Sequence, residues 1–284
     1  ETTNKGDSWS AIGTPGVGGF NAGDYNVDAL ATLGSTTYAS AGPHVFVTTN
    51  DGSSWTQIDV TGYTSDSFSD IKIDPTNTGT AYIVRGHFTG SAAGHVFETT
   101  NTGTTWTDIS GNLPDVPTNA IVLDKLTGIL YIGTDAGVYA SNNGGTSWSL
   151  LGTGLPNARV VDLEFAASLN LLAAGTHGRG AWEIDTVHFV VTSSVGSVAT
   201  GTPVTITVTA EDPFGNTITG FTGEVDFKTS DKLGVLSTIK HTFVALDNGK
   251  FQFTVTFNTK GNQTVTATDK ANSTITAKVK VSVT

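Results

Sequence analysis

The groups best suited to chemistry in this chain are six side chains in glycine-rich connections: Arg85, His87, His95, Asp135, His177 and Arg179. Guanidinium and imidazole groups set beside a carboxylate can hold an anionic or polyhydroxylated ligand through charge-assisted hydrogen bonds. Asp66, Asp115 and Arg159 lie in neighbouring connections and belong to the same candidate ligand-binding set. Turn chemistry also accounts for these segments. Asp135-Ala136-Gly137 is a common hairpin turn, and Thr176-His177-Gly178-Arg179-Gly180 is a glycine-rich turn whose polar groups can bond locally. No metal or cofactor is expected. His87 and His95 flank the loop Phe88–Gly94, an interval unlike the short fixed spacings of zinc ligands, and no Asp-x-Asp-x-Asp-Gly calcium series occurs. Cysteine is absent, so neither a disulfide framework nor a thiolate site is available.

What must position these groups is a repeat. Thr2-Thr3-Asn4-Lys5-Gly6-Asp7-Ser8-Trp9, Thr48-Thr49-Asn50-Asp51-Gly52-Ser53-Ser54-Trp55, Thr99-Thr100-Asn101-Thr102-Gly103-Thr104-Thr105-Trp106 and Ser141-Asn142-Asn143-Gly144-Gly145-Thr146-Ser147-Trp148 are four copies of one pattern. A Ser or Thr, Asn two residues on and Gly two beyond let short polar side chains bond backbone amides while Gly takes a positive φ. The tryptophan then starts a strand, its ring free to pack between neighbouring sheets. The tryptophans are 46, 51 and 42 residues apart, the length of one four-stranded blade, which predicts a β-propeller.

The pattern resembles the Asp-box, or BNR repeat, of sialidase-like propellers, with Asn where that family most often has Asp. The resemblance implies that Asn4, Gly6, Trp9, Asn50, Gly52, Trp55, Asn101, Gly103, Trp106, Asn143, Gly145 and Trp148 are structural. The arginine triad with a Tyr-Glu nucleophile pair that a sialidase needs is not matched; the chain has only Arg85, Arg159 and Arg179 and no Phe-Arg-Ile-Pro motif. Tyr131–Gly137 loosely resembles a segment of xyloglucan-hydrolysing propeller enzymes, which use paired carboxylates across a cleft between two propellers.

Alternating segments supply the other strands. Three blades are complete: Asp28–Ile58, Asp70–Ile109 and Ala120–Leu151. The ends are halves. Val160–Phe165, Leu171–Gly175 and Gly180–Ile184 have no box after them, and the N-terminus begins with a box and one strand, Trp9–Ile12. We expect about four blades belonging to a larger propeller, with Trp9–Ile12 not pairing with Ala181–Ile184; a closed four-bladed ring is the alternative. The stretch Asn112-Leu113-Pro114 through Trp182 is similar to the closing blades of large secreted bacterial BNR propellers. With no Met even at position 1, upstream sequence is expected.

Composition shifts near residue 187. Seven alternating strands follow, separated by turns such as Asp212-Pro213-Phe214-Gly215-Asn216 and Asp247-Asn248-Gly249, the pattern of a cysteine-free immunoglobulin-like sandwich. With Gly201-Thr202-Pro203, that first turn resembles the Ig-like repeats of bacterial surface proteins, where such domains space or anchor a neighbour. The expected all-β organisation is therefore propeller blades over 1–186 and a sandwich over 187–284.

Charge divides the same way. Residues 1–186 carry −12 and residues 187–284 carry +1. So acidic a propeller repels phosphate backbones, which argues against nucleic acid. Asp28, Asp59 and Asp108 are expected on a solvated face. No apolar run has the length of a membrane span. Asn262-Gln263-Thr264 and Asn272-Ser273-Thr274 match the glycosylation sequon. The sequence thus points to a secreted or cell-surface, non-catalytic protein for carbohydrate binding, adhesion or assembly, with a glycan, a surface protein, a further copy or upstream domains as partner. The other reading is the C-terminal portion of a secreted glycosidase or protease whose catalytic residues lie upstream.

Overall fold

A computed structural model describes residues 6–8, 18–21, 23, 25–64, 67–91 and 93–284. Asn4, Trp9, Asp66 and the expected strand Trp9–Ile12 lie outside them. The chain is all-β and separates into two compact units, Glu1–Glu164 with Ala174–Trp182 and Phe165–Ala173 with Glu183–Thr284.

Four consecutive antiparallel sheets are built in chain order. The first comprises β1 (Val27–Leu33), β2 (Thr36–Ala41), β3 (His44–Thr48) and β4 (Thr56–Gln57); the second β5 (Phe68–Asp74), β6 (Asn77–Arg85), β7 (Val96–Thr99) and β8 (Thr107–Asp108). The third has β9 (Thr118–Asp124), β10 (Ile129–Thr134), β11 (Gly137–Ser141) and β12 (Ser149–Leu150). The fourth, with residues in both units, has three strands: β13 (Val160–Ala166), β14 (Leu171–Thr176) and β15 (Gly180–Asp185). Tight turns set the register: Ala41 pairs with His44 around Gly42-Pro43, and Thr134 with Gly137 around Asp135-Ala136. The cores lie between sheets. Tyr38, Val45, Val47 and Ile58 of the first pack with Ile71, Ile83 and Phe97 of the second. Tyr82, Val84, Val96 and Ile109 then meet Ile121, Leu130, Ile132 and Trp148 of the third.

The repeated turns form one hydrogen-bond cage three times. Thr48, Thr99 and Ser141 accept the N–H of Gly52, Gly103 and Gly145 at 3.0, 2.8 and 2.9 Å. The Oδ1 of Asn50, Asn101 and Asn143 each accepts the N–H of Ser54, Thr105 or Ser147 at 2.9 Å. Each asparagine Nδ2 donates to that residue's hydroxyl. An aspartate would accept from the hydroxyl instead, so the cage suits either residue. Beyond the cage, the Trp106 Nε1–H donates to the Ile58 carbonyl at 2.7 Å and the Trp148 Nε1–H to the Ile109 carbonyl at 2.9 Å. These two tryptophans therefore latch the second sheet to the first and the third to the second.

In the second unit, β16 (His188–Ser193), β18 (Pro203–Glu211), β22 (Lys250–Thr256) and β20 (Val235–Leu236) form one sheet in that order. The other runs β17 (Ser197–Val198), β24 (Thr276–Val283), β23 (Gly261–Asp269), β19 (Gly223–Thr229), β21 (Lys240–Phe243). Their inner faces share a core that includes Ile206, Val208, Phe227, Val255, Val265 and Val281. The seven longer strands were legible in the alternation; β17 and β20, two residues each, were not.

Asp231 closes one end of this unit. It accepts the N–H groups of Leu233, Asn258 and Thr259 at 2.9, 2.7 and 2.9 Å and the Thr259 hydroxyl at 2.6 Å. Burial alone would raise its pKa, but the Thr259 hydroxyl and the N–H donors outweigh it and hold the carboxyl at about 2. A depressed folded pKa stabilises above the unfolded value and ceases to as pH falls through the folded one. The stability gap between wild type and Asp231→Asn should therefore shrink from about pH 4 to about pH 2. Urea titrations at the two pH values would test this; an unchanged gap would exclude the role.

Candidate functional site

One cluster of charged groups forms at the loop end of the third sheet. Asp135, in the β10–β11 turn, pairs with Arg159, which precedes β13: Nε lies 3.2 Å from Oδ1. Asn119, buried at the start of β9, ties the pair together. Its Nδ2 donates to Asp135 Oδ1 at 2.9 Å and to the Val160 carbonyl at 3.0 Å, while its Oδ1 accepts from Arg159 Nη2 at 3.0 Å. The His177 N–H donates to the Arg159 carbonyl at 2.8 Å. Nothing in sequence spacing marks Asn119; its role depends on a bulge in β9 beside Thr134.

A second cluster anchors the loop between β6 and β7. Asp115 accepts the N–H groups of Thr89 and Gly90 at 2.8 and 3.0 Å. The Thr89 amide chiefly, with the Gly90 amide and His95, holds its carboxyl below the usual range. His95 is fully buried, its Nε2 3.3 Å from Asp115 Oδ1 and 3.2 Å from the Ser91 carbonyl. Two acceptors at Nε2 place a proton on that nitrogen. Arg85, also buried, stacks 4.6 Å above the Tyr63 ring and donates to the Gly94 carbonyl at 3.2 Å. Burial in turn raises the Tyr63 pKa.

The sequence-derived set thus divides. Arg85 and His95 are interior props, and Asp115, Asp135 and Arg159 are paired. His87, His177 and Arg179 are exposed, as is Phe88 at 69%. Asp28, Asp59 and Asp108 do more than face solvent: they accept the N–H groups of Gly42, Val45 and Gly94 at 2.7, 2.9 and 2.8 Å. A residue in an extended strand leaves a neighbouring amide within reach of a short carboxylate, a use that composition does not reveal. Among the described residues, no group of three or more His, Asp or Glu could hold a metal ion.

Asp70, on the inner strand β5, was not singled out by sequence. Its Oδ1 accepts the Ile71 N–H at 2.8 Å and its Oδ2 the Ile121 N–H of β9 at 3.0 Å. Burial is the main cause of its raised pKa, and Asp162 on β13 adds to it. The available signal was an Asp directly before the buried apolar position of two inner strands, Asp70-Ile71 and Asp162-Leu163.

No family model and no curated protein matches the chain. Solved structures do. An ancestral GH74 enzyme superimposes with a TM-score of 0.50 at 14% identity, over 99% of this chain and 42% of that one. This supports a propeller-type fold and concerns the fold alone. The GH74 xyloglucanase from Xanthomonas campestris gives a TM-score of 0.46 at 13% identity, over 64% of this chain and 35% of that one. A computationally designed protein gives 0.46 at 13%, over 63% of this chain and 99% of its own. The chain thus spans less than half of either GH74 structure. Among the described residues no helix is long and apolar enough to cross a membrane.

Proposed function

We propose that this chain is a non-catalytic extracellular or cell-surface binding or structural protein. Asp-box propeller blades present a recognition or assembly face, and an Ig-like sandwich serves as stalk or joint. One observation carries this reading: the charged groups of the loop end are consumed internally. Asp135, Arg159 and Asn119 satisfy one another, and Asp115 is occupied by loop amides. What remains outward is His87, His177 and Arg179 on braced turns, groups suited to holding an anionic or polyhydroxylated partner such as a glycan or a surface protein.

Arg179→Ala should weaken such binding about tenfold, the loss of one charge-assisted hydrogen bond. Its melting temperature should hold, because the Arg179 side chain is exposed. A glycan array read with wild type and variant would test this; identical profiles would remove Arg179 from the face.

A second reading, part of a secreted hydrolase, has one observation in its favour. Asp70, with its raised pKa, and Asp162 are two carboxylates in unequal environments, the arrangement from which acid and base roles are drawn. Both Asp70 oxygens are bonded to backbone amides, as a latch between inner strands would require. Release of reducing ends from xyloglucan that vanishes in Asp70→Asn would favour hydrolysis and defeat the non-catalytic reading.

A further inference from the structure

One side of the second unit collects lysines. In the sheet β17-β24-β23-β19-β21, alternation turns Phe227, Val265, Ala267 and Val281 into the core. It sends Lys228 of β19, Thr264 and Thr266 of β23, and Lys278 and Lys280 of β24 to the outer side. Register brings these five together. Lys228 stands opposite Thr266, which stands opposite Lys278, and Thr264 stands opposite Lys280. Lys228 and Lys278 are therefore two strand spacings apart, about 10 Å, and Lys278 and Lys280 about 7 Å along one strand. All three lysines are exposed. Among the described residues no ion pair or hydrogen bond engages their ammonium groups.

The carboxylates of this face are already matched. Glu224 holds Lys270 at 2.6 Å and Lys240 at 3.4 Å, and Asp226 stands opposite Lys240. Two acids against two bases leave Lys228, Lys278 and Lys280 as uncompensated charge. Lysine on an edge strand is a common guard against unwanted strand pairing. That accounts for Lys278 and Lys280, because β24 meets β17 only at Ser282 and Val283. It does not account for Lys228, because β19 is flanked by β23 and β21. Like charges within about one Debye length at about 0.1 M salt repel one another, and a bound polyanion relieves that repulsion.

We infer that this face of the sandwich binds an anionic polysaccharide, with its acidic groups on Lys228, Lys278 and Lys280 and its hydroxyls on Thr264 and Thr266. A lipid surface would need apolar side chains to bury, and a single-stranded nucleic acid would need aromatic ones to stack on. The outer sides of β19, β23 and β24 carry neither. The sandwich thereby gains a recognition role beyond that of stalk or joint, one that does not depend on the propeller turns. Because the whole chain carries −11, a polyanion is repelled overall and must be captured by a local basic face.

Biolayer interferometry of the full chain on immobilised dextran sulfate should show binding that weakens at least about tenfold between about 0.05 and about 0.5 M NaCl, with none on uncharged dextran. The combined variant Lys228→Gln, Lys278→Gln, Lys280→Gln should lose at least about tenfold in affinity. The corresponding triple change to Arg should retain it, and both should keep the wild-type circular-dichroism melt, since all three side chains are exposed. Arg179→Ala should bind dextran sulfate as the wild type does. A wild type that does not bind, or a triple Gln variant that binds equally well, would overturn the proposal. So would a loss seen in Arg179→Ala and not in the triple Gln variant, which would place the site on the propeller. Vesicles of phosphatidylglycerol and phosphatidylcholine form the last arm: binding to them as tight as to dextran sulfate, and lost in the same variant, would make the face a membrane contact and overturn the polysaccharide.

Discussion

Replacing Trp148 with alanine is expected to lower stability by about 3–5 kcal/mol, the usual cost of emptying a buried aromatic site. Its ring is 3% exposed and packs with Tyr82, Val84, Ile109 and Leu130. The substitution also strips the Ile109 carbonyl of its indole donor. Trp148→Phe separates the two effects. It keeps most of the apolar contact and loses the hydrogen bond, a cost of about 1–3 kcal/mol for an acceptor left unsatisfied. Denaturant unfolding of both variants checks the order. Equal costs would mean that the indole N–H, and not the packing, dominates. Ligand affinity of the folded fraction should not move, since the residue lies away from His177 and Arg179 in sequence and performs a latch function.

Gly145→Ala is the second large effect. Gly145 has φ +82, and a Cβ there would lie 2.5 Å from the Ile109 carbonyl oxygen and 2.6 Å from Ile109 Cβ. The left-handed backbone costs a side chain about 1–2 kcal/mol, and crowding a packed interface adds about 1–3 kcal/mol. Gly144 is the internal control: its φ is +64, and nothing lies within 4 Å of the position a Cβ would take. Gly144→Ala should therefore show the backbone cost alone. If both substitutions cost the same by denaturant titration, the sheets separate freely and the latch is weaker than its geometry implies. Gly103 stands against Ile58 in the same way, so the constraint belongs to the repeat.

Much of the fold was legible because its signals are local. The Thr/Ser-x-Asn-x-Gly cages close within seven residues, and alternation marks the strands that face a core on one side. Val160–Phe165, Leu171–Gly175 and Gly180–Ile184 each fall one residue short of β13, β14 and β15. What was not legible depends on distant pairing. β20 is two residues long and exists because Val235 and Leu236 find Thr256 and Val255. The candidate site behaves likewise. The glycine-rich turns around Asp135 and His177 stood out, but the partner that fixes Asp135 is Asn119, brought there by a register shift between β9 and β10. Arg85 and His95 looked like ligand groups because charge suggests exposure. Tyr63 and Asp115, from connections 22 and 20 residues away, explain their burial instead.

The indole latches have a direction. Trp106 reaches back 48 residues to Ile58, and Trp148 reaches back 39 to Ile109. Each donor comes later in the chain than its acceptor. As the polypeptide leaves the ribosome, amino end first, every new sheet meets a predecessor already complete. Assembly can then proceed as ordered addition, with no sheet waiting for one not yet made. Loss of residues from the carboxyl end of this array removes donors and spares the earlier latches, whereas loss from the amino end leaves tryptophans without the carbonyl they were placed to find.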